Sequence, residues 1–356
     1  MSIHGLLGLN ENDERSMNAV GERVVYDAIR EYLNPVNAEI DQMRRVFVAE
    51  DTYDYSELYK IPSGGRMQRS GGVASPAPSK QYNGNTVQFP IEELTDGFAT
   101  DDVALGYMTA AGLQAHIDTI VEHYINSMRF EILYRLMNSN EYTFKDNHHG
   151  NLTVKPLANG DTDLYPPELG ATEPATESHY FGTNFTAANI SDDNDPFEDI
   201  NDHLAEHFGD STGGDNTVVF INNAQRNKSK ALADFVEVPD RFIRVGDDTD
   251  IPAGLPMVPG KIIGRCSGVW VVEYRFMPAN YMFGLRLDQP GPLVRRLDPQ
   301  DTGLGSGLRM VSKSDSHPLQ FSTWRAREGY GVRHRLNGVA IQLVASTSYT
   351  EPTEYA

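Results

Sequence analysis

Cysteine is almost absent from this chain: Cys266 is the only one among 356 residues. That excludes an intrachain disulfide and any cysteine-based zinc site, so the fold must be held by packing within or between chains. Positive charge is scarce as well. Thirty Lys plus Arg stand against fifty Asp plus Glu, a formal net charge of -20, which repels a phosphate backbone and argues against a sequence-reading nucleic-acid binder. No apolar run is long enough to cross a bilayer, and the first residues lack the basic-then-apolar pattern of a secretion signal. The expectation is a protein made and kept in cytoplasm. No Gly-rich loop ends in Lys-Ser or Lys-Thr, so nucleoside-triphosphate hydrolysis has no phosphate cradle.

What is present suffices for a core. Hydrophobic residues make up 39% of the chain, while 31 Gly and 20 Pro promise many turns and extended loops. The length exceeds the usual single-core size and predicts two or three subdomains. The strongest local pattern runs over residues 101–137. Leu113, Ile117, Ile120, Val121, Tyr124, Ile125, Met128, Ile132, Leu133 and Leu136 recur three or four apart, one stripe of a long amphipathic helix. Thr100 is placed to cap it, Asp101 and Asp102 suit the positive end of its dipole, and Arg135 suits the negative end. His116, Asp118, Glu122, Asn126, Arg129 and Glu131 give the rod a wet face.

Residues 1–18 read as an extended tail. Val20, Val24, Ile29 and Leu33 form one short helical stripe, Pro35 breaks it, and Val36, Ile40, Met43 and Phe47 form another. Together they make an arm that a neighbouring subunit is expected to order. Residues 61–100 read as a long two-stranded excursion with little core of its own, and loops of this length are usually functional or adhesive. After the rod, residues 141–185 predict irregular sheet with strands at 152–154 and 179–181. An acidic helix over 195–208, a buried strand over 217–221 and a second helix over 223–236 follow. Strands are expected at 242–245, 261–265, 269–274 and 281–287. Asn337-Gly338 between alternating runs predicts a hairpin within 327–343.

Most candidate chemistry has a structural explanation of greater weight. His203, Glu206 and His207 fall in the H-x-x-E-H order of inverted zinc peptidases, two imidazoles on one helical face beside a carboxylate. A third ligand and a cleft are missing, so a solvated acidic face is the stronger reading and a zinc-dependent hydrolase the weaker. The acids Asp192, Asp193, Asp195, Glu198, Asp199 and Asp202 lack the Gly and Glu of a calcium loop and suit a helix N-terminus. His148-His149 reads as surface, Gly303, Gly305 and Gly307 as a flexible loop, and Cys266 as a buried structural thiol. No catalytic, cofactor or metal site is expected. Arg66, Arg69 and Lys80 are the cations of the projecting loop, and with Gly71 and Gly72 they are the candidate contacts between subunits. Arg325, Arg327, Arg333 and Arg335 are expected to pair with carboxylates.

The order is a helical arm, a long loop, a rod, a mixed central domain and a returning C-terminal hairpin. It resembles the major capsid proteins of tailed bacteriophages, the Hong Kong 97-like or Johnson fold shared with herpesvirus shells. The pieces carrying the resemblance are residues 87–100 running into 101–137, 179–181 before the acidic helix, 217–236, 261–287 with Met277-Pro278-Ala279-Asn280, and 324–343. The resemblance implies an α+β fold with an arm (1–60), an extended β loop (61–100), a peripheral domain with its spine helix (101–199), an axial domain (200–316), and a return to the peripheral domain with a hairpin (317–356). It implies self-assembly into pentamers and hexamers of an icosahedral head around double-stranded DNA. Portal, scaffold and cement proteins would be its partners, and the virion, assembled in host cytoplasm, its location. It also implies that the loop lies across an adjacent subunit. An encapsulin-like compartment shell is the alternative on the same fold. No covalent cross-link is expected from Lys80, and the chain is expected to keep its N-terminal arm.

Overall fold

The long helix is the element that local sequence specifies best. In the computed structural model it is α1, Ala110–Met137, 28 residues and about 42 Å long at 1.5 Å per residue. The stripe from Leu113 to Leu136 is buried as expected, with Ile125 half-buried, while His116, Glu122 and Asn126 are exposed. Its start differs from expectation. Thr100, Asp101 and Asp102 lie outside the described residues; the Thr109 hydroxyl accepts from the Gly112 N–H at 3.2 Å, and no acid occupies the first turn of α1. Arg135 sits in the last turn.

The structure describes residues 31–33, 37, 40–41, 44–62, 64, 67, 81–99, 107–209, 216–237, 258–313 and 321–355. Among them, strands β1 (Val48–Thr52), β2 (Ser56–Pro62), β3 (Gln81–Gln88) and β4 (Glu92–Ala99) precede α1. Strands β5 (Tyr142–Asp146), β6 (Gly150–Val154) and β7 (Tyr180–Gly182) lead into helix α2 (Pro196–Phe208). Then come β8 (Thr217–Ile221), the single-turn helix α3 (Arg226–Ser229), β9 (Val236–Glu237), β10 (Lys261–Cys266), β11 (Val269–Glu273), β12 (Tyr281–Arg286), β13 (Leu293–Arg296), β14 (Arg309–Lys313), β15 (Phe321–Val332) and β16 (Val339–Gln342). The tail and the strand expected at 242–245 lie outside the described residues. No described helix is long and apolar enough to cross a membrane.

Two compact units make up the chain. The first comprises residues 1–44, 91–131 and 296–329. Its β15 pairs antiparallel with β4, from Phe321 opposite Ala99 to Glu328 opposite Glu92, and with β14 through an irregularity between Met310 and Ser312. Residues 92–99, expected inside the projecting excursion, are thus a strand of this unit. Glu328 is buried and accepts from the Tyr124 hydroxyl at 2.9 Å, with Arg44 at 3.5 Å. The described arm residues pack on their own unit: the Tyr32 hydroxyl donates to Asp118 at 3.1 Å, Asn37 donates to the Leu308 carbonyl at 3.3 Å, and Leu33 and Ile40 are buried. At these positions the arm has partners within its own unit.

The second unit comprises residues 45–90, 132–295 and 330–356. Its centre is a seven-stranded sheet in the order β7-β16-β12-β8-β11-β10-β9. β8 is buried at all five positions, the continuous apolar run of a strand covered on both faces. It lies parallel to β11 and antiparallel to β12. Helix α2 begins where expected. The Asp195 carboxylate accepts from the Phe197 N–H at 2.8 Å, Pro196 supplies the first turn, and Glu198 and Asp199 follow near the positive dipole end. Phe197, Ile200 and Leu204 are fully buried, about 1.5–3 kcal/mol for each such side chain. The helix approaches β12 at Gly284, where a Cβ would stand 2.2 Å from Ile200 Cγ2.

Two expectations fail here for physical reasons. The helix expected over 223–236 is only α3. The Asp192 carboxylate takes the Ala233 N–H at 2.8 Å, Phe235 packs on Gly264, and Val236 and Glu237 pair with β10. Nor does Asn337-Gly338 close a hairpin, because β16 pairs with β12 and β7 instead. Asn337 is buried. It accepts from the Arg286 N–H at 3.0 Å and donates to the carbonyls of Arg286 and Pro290 at 3.1 and 2.7 Å. A buried amide with three partners is a tertiary clamp, not a turn residue. Cys266 is buried in the core of this sheet, and burial pushes its thiol up to about 11, the inert state expected.

Candidate functional site

The root of the expected loop belongs to the second unit and is built by β2 and β3. They pair antiparallel from Ser56 opposite Gln88 to Pro62 opposite Gln81, with an irregularity between Leu58 and Lys60. Gly84 faces this step, and a Cβ there would stand 1.5 Å from the Tyr59 carbonyl oxygen, so close backbone approach requires glycine. Val87, Phe89 and Val294 form a small core against Tyr59. Phe89 lies against Gly331, whose missing Cβ leaves it room.

Polar ties fix the root from three sides. Arg333 Nε bonds Glu57 at 2.8 Å, and the same guanidinium reaches Glu50. The Tyr59 hydroxyl donates to the Arg333 carbonyl. Burial, reinforced by the Glu57 carboxylate, holds that phenol above its ordinary pKa and therefore protonated. Asn85 donates to the Leu164 carbonyl at 3.1 Å, the Gly64 N–H donates to the Thr172 carbonyl at 3.1 Å, and the Tyr82 hydroxyl bonds Glu173. Between these ties lies a cavity of about 190 Å³ bordered by Tyr59, Ile61, Leu164, Pro166, Phe208 and Leu336. Beyond the root, Arg66, Arg69, Gly71, Gly72 and Lys80 lie outside the described residues, and Met67 is fully exposed.

The C-terminal arginines pair with carboxylates, as expected. In the first unit Arg327 bonds Asp298 at 2.6 Å and Glu93 at 3.0 Å, with Arg325 at 3.9 Å from Glu93. In the second, the Arg335 side chain is 4% exposed and serves Asp161 at 3.0 Å, Asp163 at 2.6 Å and the Pro156 carbonyl at 2.7 Å. Sequence offered no sign of the aspartates, which stand more than 170 residues away. The stretch they begin, 161–178, is the wall on which the loop root rests.

His203, Glu206 and His207 do not assemble a peptidase centre. His203 Nε2 donates to the Ser178 carbonyl at 3.0 Å and its Nδ1 lies 3.6 Å from Glu206. His207 turns inward, its Nε2 3.4 Å from Glu177. Buried His179, bonded through Nδ1 to the Gly338 carbonyl at 2.7 Å, packs its ring against both. Burial first, then the neighbouring His203, push its pKa down to about 3, so it is neutral. The hydrolase reading falls because His203 is committed to backbone. His148 and His149 are exposed, with Tyr55 stacked on His149 at 3.8 Å, and the acids of 192–202 decorate the start of α2.

No protein-family model matches the chain, and no curated protein matches it significantly. Solved structures do. A chain of Mycobacterium phage Patience superposes with a TM-score of 0.67 at 17% identity, covering 97% of this chain and 94% of that one. The two chains share a fold. The mature capsid of bacteriophage PhiM1 and the capsid of cyanophage A-1(L) align at a TM-score of 0.48 each, with 10% and 14% identity, covering 84% and 87% of this chain and 86% and 93% of theirs. The fold shared with the mycobacteriophage chain is a mixed α+β one, as the resemblance implied.

Proposed function

We propose that the chain is the major capsid protein of a tailed phage, the repeating subunit of an icosahedral head around double-stranded DNA. The observation that carries this reading is the fold shared with the mycobacteriophage chain over nearly the full length of both. A long loop whose root is tied down by Arg333, Asn85 and Gly64 supports it, because a rigid root projects an adhesive tip at low entropic cost. In this reading residues 1–60 are the arm, 61–100 the extended loop with its last strand 92–99 returning to pair with 321–328, 101–199 the peripheral domain, 200–316 the axial domain and 317–356 the return to the peripheral domain. Arg66, Arg69 and Lys80, flexed about Gly71 and Gly72, meet carboxylates of an adjacent subunit, for which a chain of net charge -20 offers ample choice. Packaged DNA is enclosed without sequence reading, and portal, scaffold and cement proteins are the further partners. Assembly takes place in host cytoplasm and the product is the virion.

Light scattering and electron microscopy of the expressed chain test this. Closed particles are expected, and a stable 39.6 kDa monomer under all conditions refutes the reading. Nuclease-resistant DNA inside particles made during infection separates a phage head from an encapsulin-like shell. Replacing Arg66, Arg69 and Lys80 by Glu should abolish particles while leaving the unfolding free energy of the subunit in urea within about 0.5 kcal/mol of the parent, the range of surface substitutions.

A further inference from the structure

In the second unit the end of α2 meets the residue before β7 through three imidazoles. His179 is fully buried, its ring centroid 4.8 Å from that of His203 and 5.7 Å from that of His207. Its partners fix its protonation. Nδ1 faces the Gly338 carbonyl at 2.7 Å, which can only accept, so Nδ1 carries the hydrogen and Nε2 the lone pair. Nε2 is buried and has no hydrogen-bond partner among the described residues. A second proton would sit there as a full charge with neither acceptor nor water. The outer rings differ: His203 Nδ1 lies 3.6 Å from Glu206 and His207 Nε2 3.4 Å from Glu177, so a proton on either meets a carboxylate. Arg335, and His203 and His207 once charged, oppose a charge on His179; the Gly338 carbonyl favours it, but burial outweighs that bond.

His179 cannot turn aside, because its backbone is pinned on both edges. Its N–H donates to the Ala158 carbonyl at 2.7 Å and its carbonyl accepts from the Ala340 N–H at 2.9 Å. The last turn of α2 is tied to the preceding stretch by two bonds, His203 Nε2 to the Ser178 carbonyl at 3.0 Å and the Leu169 N–H to the Glu206 carbonyl at 2.8 Å. We propose that His179, His203 and His207 form an acid-operated latch: while His179 is neutral the last turn of α2 is seated on it, and when His179 takes a proton that turn lifts away and both bonds break. The stretch 168–178 then loses its tie to α2. Gly64 and Tyr82 bond Thr172 and Glu173 within that stretch, so the loop root loosens in the same step. Burial holds the seated His179 down to about 3, against about 6.5 for a free imidazole. The seated form is therefore fully favoured above about pH 6.5, and its equilibrium constant falls about tenfold per pH unit below that value. The latch stands on the geometry of the second unit, whether or not the chain builds a shell.

Amide hydrogen exchange of the purified full chain at pH 7 and pH 5, corrected for the intrinsic rate at each pH, tests the proposal. Protection of the Leu169 and Gly64 amides should fall roughly 25-fold at pH 5, while Val218 and Phe220 in β8 keep theirs. His179→Asn keeps a side-chain N–H for the Gly338 carbonyl but takes no proton, and should show no such fall. Imidazole NMR of the parent gives a check that needs no variant: His179 should stay the neutral Nδ1–H tautomer for as long as Leu169 is protected. Equal protection of Leu169 at both pH values, the same fall in His179→Asn, loss of β8 protection together with Leu169, or a charged His179 beside a protected Leu169 would each overturn the proposal.

Discussion

Replacing Arg335 by Leu should be among the most damaging single changes in the second unit. The guanidinium is almost fully buried and makes bonds to Asp161, Asp163, Pro156 and Leu157, while its plane covers the Tyr165 ring at 5.1 Å. Removing one partner of a buried ion pair costs about 3–5 kcal/mol, because the other charge stays behind. Lys155 still reaches Asp163 in the variant, which places the expected loss near the lower end, about 3 kcal/mol. With a urea slope of about 3 kcal/mol per molar, that lowers the midpoint by roughly 1 M. The two tryptophans allow the unit to be followed alone: Trp324 lies in the first unit and Trp270 in the second. In a Trp324→Phe background, fluorescence reports Trp270, and parent and Leu variant are compared there. Acid supplies a second check. Burial raises the Asp163 pKa, but the Lys155 and Arg335 bonds outweigh it and hold the carboxyl below 3.8. A depressed folded pKa stabilises above the unfolded value and is lost as pH falls through the folded one, so the gap between parent and variant should narrow below about pH 4. A midpoint shift under about 0.3 M, or a gap that stays constant into acid, refutes the reasoning. Arg335→Lys should fall between, since it keeps the charge and loses the fork.

Gly284→Val places its Cβ 2.2 Å from Ile200 Cγ2; strain and displacement of α2 should cost at least about 1–3 kcal/mol in urea unfolding. Full parental stability in that variant would contradict the described packing of α2 on β12. Cys266, with a thiol pushed up to about 11 and no exposed surface, should stay silent toward a thiol reagent at neutral pH and react only after urea unfolding. Rapid labelling of the native chain would show that the central sheet opens.

Elements whose residues are neighbours in sequence were legible beforehand. Tyr142–Asp146 was missed because exposed polar positions alternate with half-buried aromatic ones at Tyr142 and Phe144, too weakly to signal a strand. The site residues were harder. His203 and His207 drew notice as a motif, but their roles depend on Ser178 and Glu177, which no spacing rule connects to them. Glu177 carried no signal at all.

Sequence by itself determined the rod, the Asp195-capped α2, the buried strand 217–221 and the overall negative charge, because periodicity, capping and composition act over a few residues or over their sum. Tertiary structure alone decided that Asn337 clamps Arg286 and Pro290 instead of turning a hairpin, that 92–99 pairs with 321–328, and that the would-be helix stops after Ser229. Each of these was decided by a partner that the chain brings close only on folding, often far away in sequence, and local propensity carries no record of such partners.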